Sequence, residues 1–253
     1  MWAGGEINYS QLDLSLNQGP AFCLERITDL NINGREGEER AFVRIERHID
    51  HFPCPGDEHK DSKAVFGVNK DIISHHFDKA VARGPCEVRN LVFLRDDFKH
   101  VAQKRTDVPP KVFMVSRAPD FSHTLVPSAS LLFRFSALTF NAHAIHLDKH
   151  YCQEIEGHRN LLVHGPLTAI LMAELLRRYL ENICVRSGKP PNAETIESIE
   201  YRNLAPLYAE EQMRISGRRR KSGEWDIVVQ GKHGGLAVRG LVRIRSHKPD
   251  SES

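Results

Sequence analysis

A single long amphipathic helical signal over residues 166–184, followed by four short alternating stretches, constrains this chain more than any other feature. Leu167, Ile170, Leu171, Leu175 and Ile183 fall on one helical stripe, with Glu174, Arg177, Arg178 and Glu181 on another. Pro166 suits the first turn of a helix, where a missing N–H costs nothing. The stretches at 196–202, 211–219, 225–230 and 236–245 then read as strands separated by turn residues. In the last of them Val238, Gly240, Val242 and Ile244 alternate with Arg239, Leu241, Arg243 and Arg245. With a further strand expected over 129–139, the pattern implies an α+β chain whose antiparallel sheet is packed round one central helix.

The preceding half is patterned less regularly. The first fifty residues read as extended, with turn signals at 31–37 and an alternating run at 41–47 in which Val43 and Ile45 oppose Arg44 and Glu46. A β-hairpin is expected there. Residues 51–85 are polar and irregular, carrying Pro53, Pro55 and Gly56 ahead of a short helix over 70–83. A strand over 88–95 closes this half, and 96–119, with Pro109, Pro110 and Pro119, has the composition of a linker. The expected division is therefore an N-terminal half over 1–115 and a C-terminal half over 120–253.

Composition removes several function classes. At 40% hydrophobic and 27% charged, with a formal net charge of +2, the 253 residues describe an ordinary globular chain with no basic excess for nucleic acid. No window approaches a membrane span, since even residues 161–176 hold His164 and Glu174. The five cysteines are scattered without a C-x-x-C pair, so neither a disulfide framework nor a thiolate zinc site is expected. His143 and His146 lie three apart, as do His48 and His51, but no third ligand follows at a familiar spacing, and no metal is expected. No basic, apolar or Arg/Ser-rich leader is readable in Met1-Trp2-Ala3-Gly4-Gly5.

Polar groups crowd into residues 133–148, Phe-Arg-Phe-Ser-Ala-Leu-Thr-Phe-Asn-Ala-His-Ala-Ile-His-Leu-Asp, at a junction between two elements. Eighteen residues after His146 stands Val163-His164-Gly165-Pro166, at the opening of the long helix. Free backbone N–H groups and the positive end of the helix dipole there would stabilise an oxygen gaining negative charge.

These two blocks, with Met1-Trp2-Ala3-Gly4-Gly5 and the strand over 88–95, resemble the MaoC-like hotdog hydratases, most closely their hydroxyacyl-thioester dehydratase type 2 branch. The resemblance covers both halves in family order but leaves 51–85 without a counterpart. It implies a double hotdog whose C-terminal half carries the site and whose N-terminal half is incomplete and non-catalytic. It implies a reaction that adds water to an enoyl thioester or removes it from a 3-hydroxyacyl thioester, the carrier being coenzyme A or acyl carrier protein. On this sequence His146 takes the family's His position and Asn141 its Asp position. Asn cannot take up a proton at neutral pH, so His146 is left with the acid/base work while Asn141 orients water or a hydroxyl. Gly165 matches the glycine whose N–H meets the thioester oxygen, and His164 and Arg134 join it as candidate substrate-binding residues. The resemblance further implies no redox or metal cofactor, a homo-dimer, and a mitochondrial or otherwise cytoplasmic setting.

Blander roles stand beside each assignment. Asn141 could cap the following turn, Gly165 could be a packing glycine, and His146 could be a satisfied structural histidine. Arg218-Arg219-Arg220-Lys221 could be a solvated hairpin tip or a contact for phosphates or an acidic carrier. A non-catalytic hotdog module that binds acyl thioesters or serves as a dimer partner is the rival reading of the whole. Finally, the helix over 70–83, with Ile72, Ile73, Phe77, Ala80 and Val81, is too short for a central helix, so the N-terminal half is expected to present a bare apolar sheet face.

Overall fold

The computed structural model describes residues 1–9, 21–51, 70–94, 118–221 and 223–247. Among these residues nine strands form one sheet, every neighbouring pair antiparallel. In chain order they are β1 (Trp2–Asn8), β2 (Ala21–Asn33), β3 (Arg40–His51), β4 (Glu87–Leu94), β5 (Phe121–Leu125), β6 (Glu194–Asn203), β7 (Met213–Lys221), β8 (Glu224–Gln230) and β9 (Leu236–Ser246). Across the sheet they run β2-β3-β4-β1-β6-β9-β8-β7-β5. The first strand therefore lies between β4 and β6 and joins the two halves. Among the described residues three α-helices accompany the sheet: α1 (Lys70–Arg83), α2 (Ala129–Thr139) and α3 (Gly165–Arg186). The expected hairpin is β2 and β3, and the four C-terminal strands form close to where the alternation placed them; β5 was not anticipated. The linker expected over 96–119 lies almost wholly outside the described residues.

The core lies between α3 and the C-terminal strands. Leu167, Ala169, Met172, Ala173, Leu176 and Leu180 pack against Ile199, Tyr201, Ile215, Trp225, Ile227, Val229, Val238 and Val242. At Gly240 the helix comes so close that an added Cβ would sit 2.5 Å from Met172 Cε. The sequence misplaced the inward face of α3. Of the stripe expected to be buried, Leu167 is buried, Leu171 and Leu175 are half-buried, and Ile170 is 48% exposed. The inward face is lined by Ala169, Met172, Ala173 and Cys184 as well as leucines, small or sulfur side chains that let helix and sheet approach but add little to an apolar stripe. Arg177 and Arg178 both donate to Glu174 on the solvent side.

Residues 129–139, expected as a strand, are helix α2. The alternation Phe133-Arg134-Phe135-Ser136 imitates a strand for four residues, but Ser128 Oγ accepts from the Leu131 N–H and starts a helix. Leu132, Phe135 and Ser136 then share its buried face at helical spacing.

In the N-terminal half the register sorts side chains onto two faces. On one, α1 covers β2–β4: Phe77 meets Phe22 edge-on at 5.1 Å, and His48 Nδ1 lies 3.2 Å from both Ala80 O and Gly84 O. The other face carries Ile27 and Ile45 as one cross-strand pair and Leu30, Val43 and Leu91 as a row across three strands. It is continuous with the face that α3 covers, since Arg47, Glu87, Ile7 and Ile199 lie in one row across β3, β4, β1 and β6. There Ile27 is 71%, Leu30 62%, Ile32 63% and Phe93 55% exposed. No described helix is long and apolar enough to cross a membrane.

Candidate active site

The site is assembled where α2 ends and α3 begins. Phe140 closes α2 in the left-handed region, φ 52°, which reverses the chain and lets the Asn141 N–H donate to Ser136 O at 2.9 Å. Asn141 Oδ1 accepts from the His143 N–H at 3.1 Å, and His143 Nδ1 accepts from the Ile145 N–H at 3.3 Å, starting a 3₁₀ turn over Ala144–His146. The turn is clamped to Leu162 from both sides. The Leu162 N–H donates to Ile145 O at 2.9 Å, and His146 Nδ1 lies 2.8 Å from Leu162 O. Leu162 is itself held, because Val163 N–H donates to Leu207 O and Ala209 N–H to Leu161 O.

A carbonyl only accepts, so the contact with Leu162 requires a proton on His146 Nδ1 and leaves Nε2 as a lone pair. Burial holds the His146 pKa below the usual histidine value, the Leu162 carbonyl pulls it back up, and neighbouring His143 lowers it further. At neutral pH His146 is an uncharged base. Its ring stacks on His164 with centroids 3.6 Å apart and planes 20° from parallel. His164 is 1% exposed, its Nε2 is 2.9 Å from Ser136 Oγ, and burial followed by the proximity of His146 lowers its pKa to about 3. Cys152 Sγ donates to Ile145 O at 2.9 Å beneath the turn.

Of the residues singled out in the sequence, His146, His164 and Gly165 are brought together, with Asn141 at the head of the same turn. Asn141 therefore does close a turn. Gly165 is also a packing glycine, since a Cβ there would lie 2.5 Å from Asn203 Nδ2, which donates to Trp2 O. Arg134 is not brought in. It is exposed on α2, ~200° round the helix from Ser136 at 100° per residue. Two participants escaped the sequence: Ser136, whose only signal was a serine within an apolar helical face, and the Leu162 carbonyl, which as backbone leaves no signal. Among the described residues, no three His, Cys, Asp or Glu side chains converge as metal ligands.

The overall arrangement is that of the MaoC-like hotdog proteins. The MaoC-like dehydratase from Phytophthora capsici superposes with a TM-score of 0.58 at 12% identity, over 98% of this chain and 72% of that one. Full-length peroxisomal multifunctional enzyme type 2 from Drosophila melanogaster superposes with a TM-score of 0.59 at 13% identity, over 97% of this chain and 37% of that one. In sequence, the chain is 34% identical over 158 residues to the mesaconyl-C(4)-CoA hydratase of Chloroflexus aurantiacus, covering 62% of this chain and 50% of that protein. It is 32% identical over 106 residues to the mitochondrial hydroxyacyl-thioester dehydratase type 2 of Schizosaccharomyces pombe, covering 42% of this chain and 32% of that protein. The chain thus spans half or less of the length of these curated relatives. Residues 56–209, more than half of the sequence and including the whole of the His146 and His164 cluster, match the family model for hydroxyacyl-thioester dehydratase type 2, and the chain belongs to that family.

Proposed function

We propose that the chain is the catalytic part of a hydratase/dehydratase acting on enoyl and 3-hydroxyacyl thioesters. The observation that carries this is the free Nε2 of a buried, uncharged His146, fixed by the Leu162 carbonyl at the opening of α3. In the hydration direction, His146 Nε2 takes a proton from water as the water oxygen adds to the β-carbon. The electron pair moves through the α-carbon onto the thioester oxygen, and the Gly165 N–H at the helix N-terminus donates a hydrogen bond to that oxygen as its charge develops. The imidazolium returns the proton at the α-carbon, and dehydration is the reverse. Asn141, whose Oδ1 is taken by the turn, offers Nδ2–H to orient the water or hydroxyl. Arg134 is left out of this scheme.

The acyl carrier is coenzyme A or acyl carrier protein, and the chemistry needs no metal or redox group. The C-terminal half over 120–253 holds all the residues invoked, with 1–115 as a non-catalytic half. The mitochondrial setting of the yeast relatives and a homo-dimeric assembly are adopted as part of the same reading. The bare N-terminal sheet face favours a second reading, a chain that works only as one part of a larger assembly. Loss of enoyl absorbance on mixing the chain with crotonyl-CoA and a panel of longer and branched enoyl thioesters separates the two. Turnover that falls at least ~100-fold in His146→Ala supports the enzyme; no hydration of any thioester, or turnover within a few-fold of the parent in His146→Ala, overturns it.

A further inference from the structure

A hydrogen bond to Leu162 O fixes which nitrogen of His146 carries the proton, but a single bond along one edge leaves the ring free to swing about it. What sets the plane is the ring beneath. His164 lies 3.6 Å away and nearly parallel, and it is itself tethered at Nε2 by Ser136 Oγ, 2.9 Å away and 28 residues earlier in the sequence. Phe135 closes on the edge of His164, with ring centroids 4.9 Å apart at 66°. Ser136 and His164 are buried, and His164 Nδ1 has no hydrogen-bond partner, so a second proton there would sit unsolvated beside the ring that must itself gain one. A neutral, immobile ring is what a base that alternates between charged and uncharged needs beneath it; a charged one would oppose each protonation.

Resting on the catalytic reading of His146, we propose that Ser136 and His164 form a positioning pair: a tethered neutral imidazole serves as the stacking platform that holds the His146 ring with Nε2 toward the substrate. In this proposal His164 takes a supporting role in place of the substrate contact expected from the sequence, and neither residue touches the acyl thioester. The flat face of His164 does the work, and its nitrogens serve only to moor it. Leu in its place keeps the volume and loses the plane, whereas Phe keeps the plane and loses the mooring.

The test uses the full chain and the most rapidly hydrated enoyl-CoA of the panel, with folding checked by circular dichroism and thermal melting. His164→Leu should lower kcat about tenfold or more at unchanged KM, while His164→Phe and Ser136→Ala, which both keep the plane and lose only the mooring, should each fall between that variant and the parent. A second readout is independent of turnover: the NMR order parameters of the His146 ring C–H bonds should be high in the parent and in His164→Phe, and lower in His164→Leu. If Phe and Leu variants fold and are equally impaired, or if either raises KM with kcat unchanged, the platform is refuted. Parent-like kcat and ring order parameters in His164→Leu refute it equally. An active His146→Ala would instead overturn the catalytic reading, and the order-parameter comparison would still decide whether His164 orients His146.

Discussion

The two halves of this molecule contribute strands to one sheet and treat the same face of it in opposite ways. In the C-terminal half that face is closed by α3, a 22-residue helix whose inward side chains are almost completely withdrawn from water. In the N-terminal half the continuation of that face carries Ile27, Leu30, Ile32 and Phe93 in the open, while the only described helix, the 14-residue α1, lies against the opposite side. Each half also buries a histidine against backbone carbonyls. His48 Nδ1 sits between Ala80 O and Gly84 O at the end of α1, and His146 Nδ1 faces Leu162 O. The difference teaches what a buried histidine is for. Burial and a carbonyl partner occur in both, but only His146 stands at the open N-terminus of a long helix with a second imidazole stacked on it.

The contrast breaks most sharply under α3. Leu176 is fully buried between helix and sheet, so Leu176→Ala should destabilise the fold by about 2–5 kcal/mol, read as a shift in urea midpoint at unchanged slope. A loss below about 1 kcal/mol would mean that α3 is not the core element it looks to be.

Next come the two histidines. His48→Ala strips the partner from two carbonyls at the end of α1 and should cost about 1–3 kcal/mol of stability while leaving turnover within a few-fold. His146→Ala should do the reverse. If His48→Ala abolished hydration in a chain that still folds, the assignment of chemistry to the C-terminal half alone would fail.

Much of this was open to a reader of the sequence, for reasons specific to each element. β9 alternates Val238, Gly240, Val242 and Ile244 with arginines almost without exception, so its inward face was legible. The extent of α3 was legible too, but its facing was not, because Ala169, Met172 and Ala173 share its buried face with Leu167, Leu176 and Leu180 where a stripe of large side chains was sought. α2 was misread because Phe133 to Ser136 alternate in a chain segment whose capping residue, Ser128, decides otherwise. His146 stood out through the family resemblance that residues 133–148 carry. Its orientation did not, since it depends on a carbonyl at Leu162 and on a ring and a hydroxyl brought from 18 residues ahead and 10 behind.

The site also leaves a mark on stability. His164 binds a proton with a pKa of about 3 in the fold against about 6.5 in the unfolded chain. Below pH 6.5 the unfolded state therefore takes up the proton that the folded state refuses, so the contribution is intact above pH 6.5 and is lost progressively as pH falls toward about 3. Melting temperature should fall with pH through this window, and His164→Phe should flatten part of the slope. An unchanged slope in that variant would show that His164 is solvated in the folded protein.

The smallest effect is expected on the bare face. Replacing Ile27, Leu30 and Ile32 together by Thr keeps β-branched or strand-compatible side chains on β2 and removes most of the exposed apolar area there. Residues already in water lose no burial on folding, so the change should stay within about 0.5 kcal/mol per position, and binding of the dye ANS to the folded chain should drop. A loss above about 1 kcal/mol per position would mean that these side chains are covered in solution. The two halves would then bury the same sheet face after all, the N-terminal one by something other than a described helix of this chain.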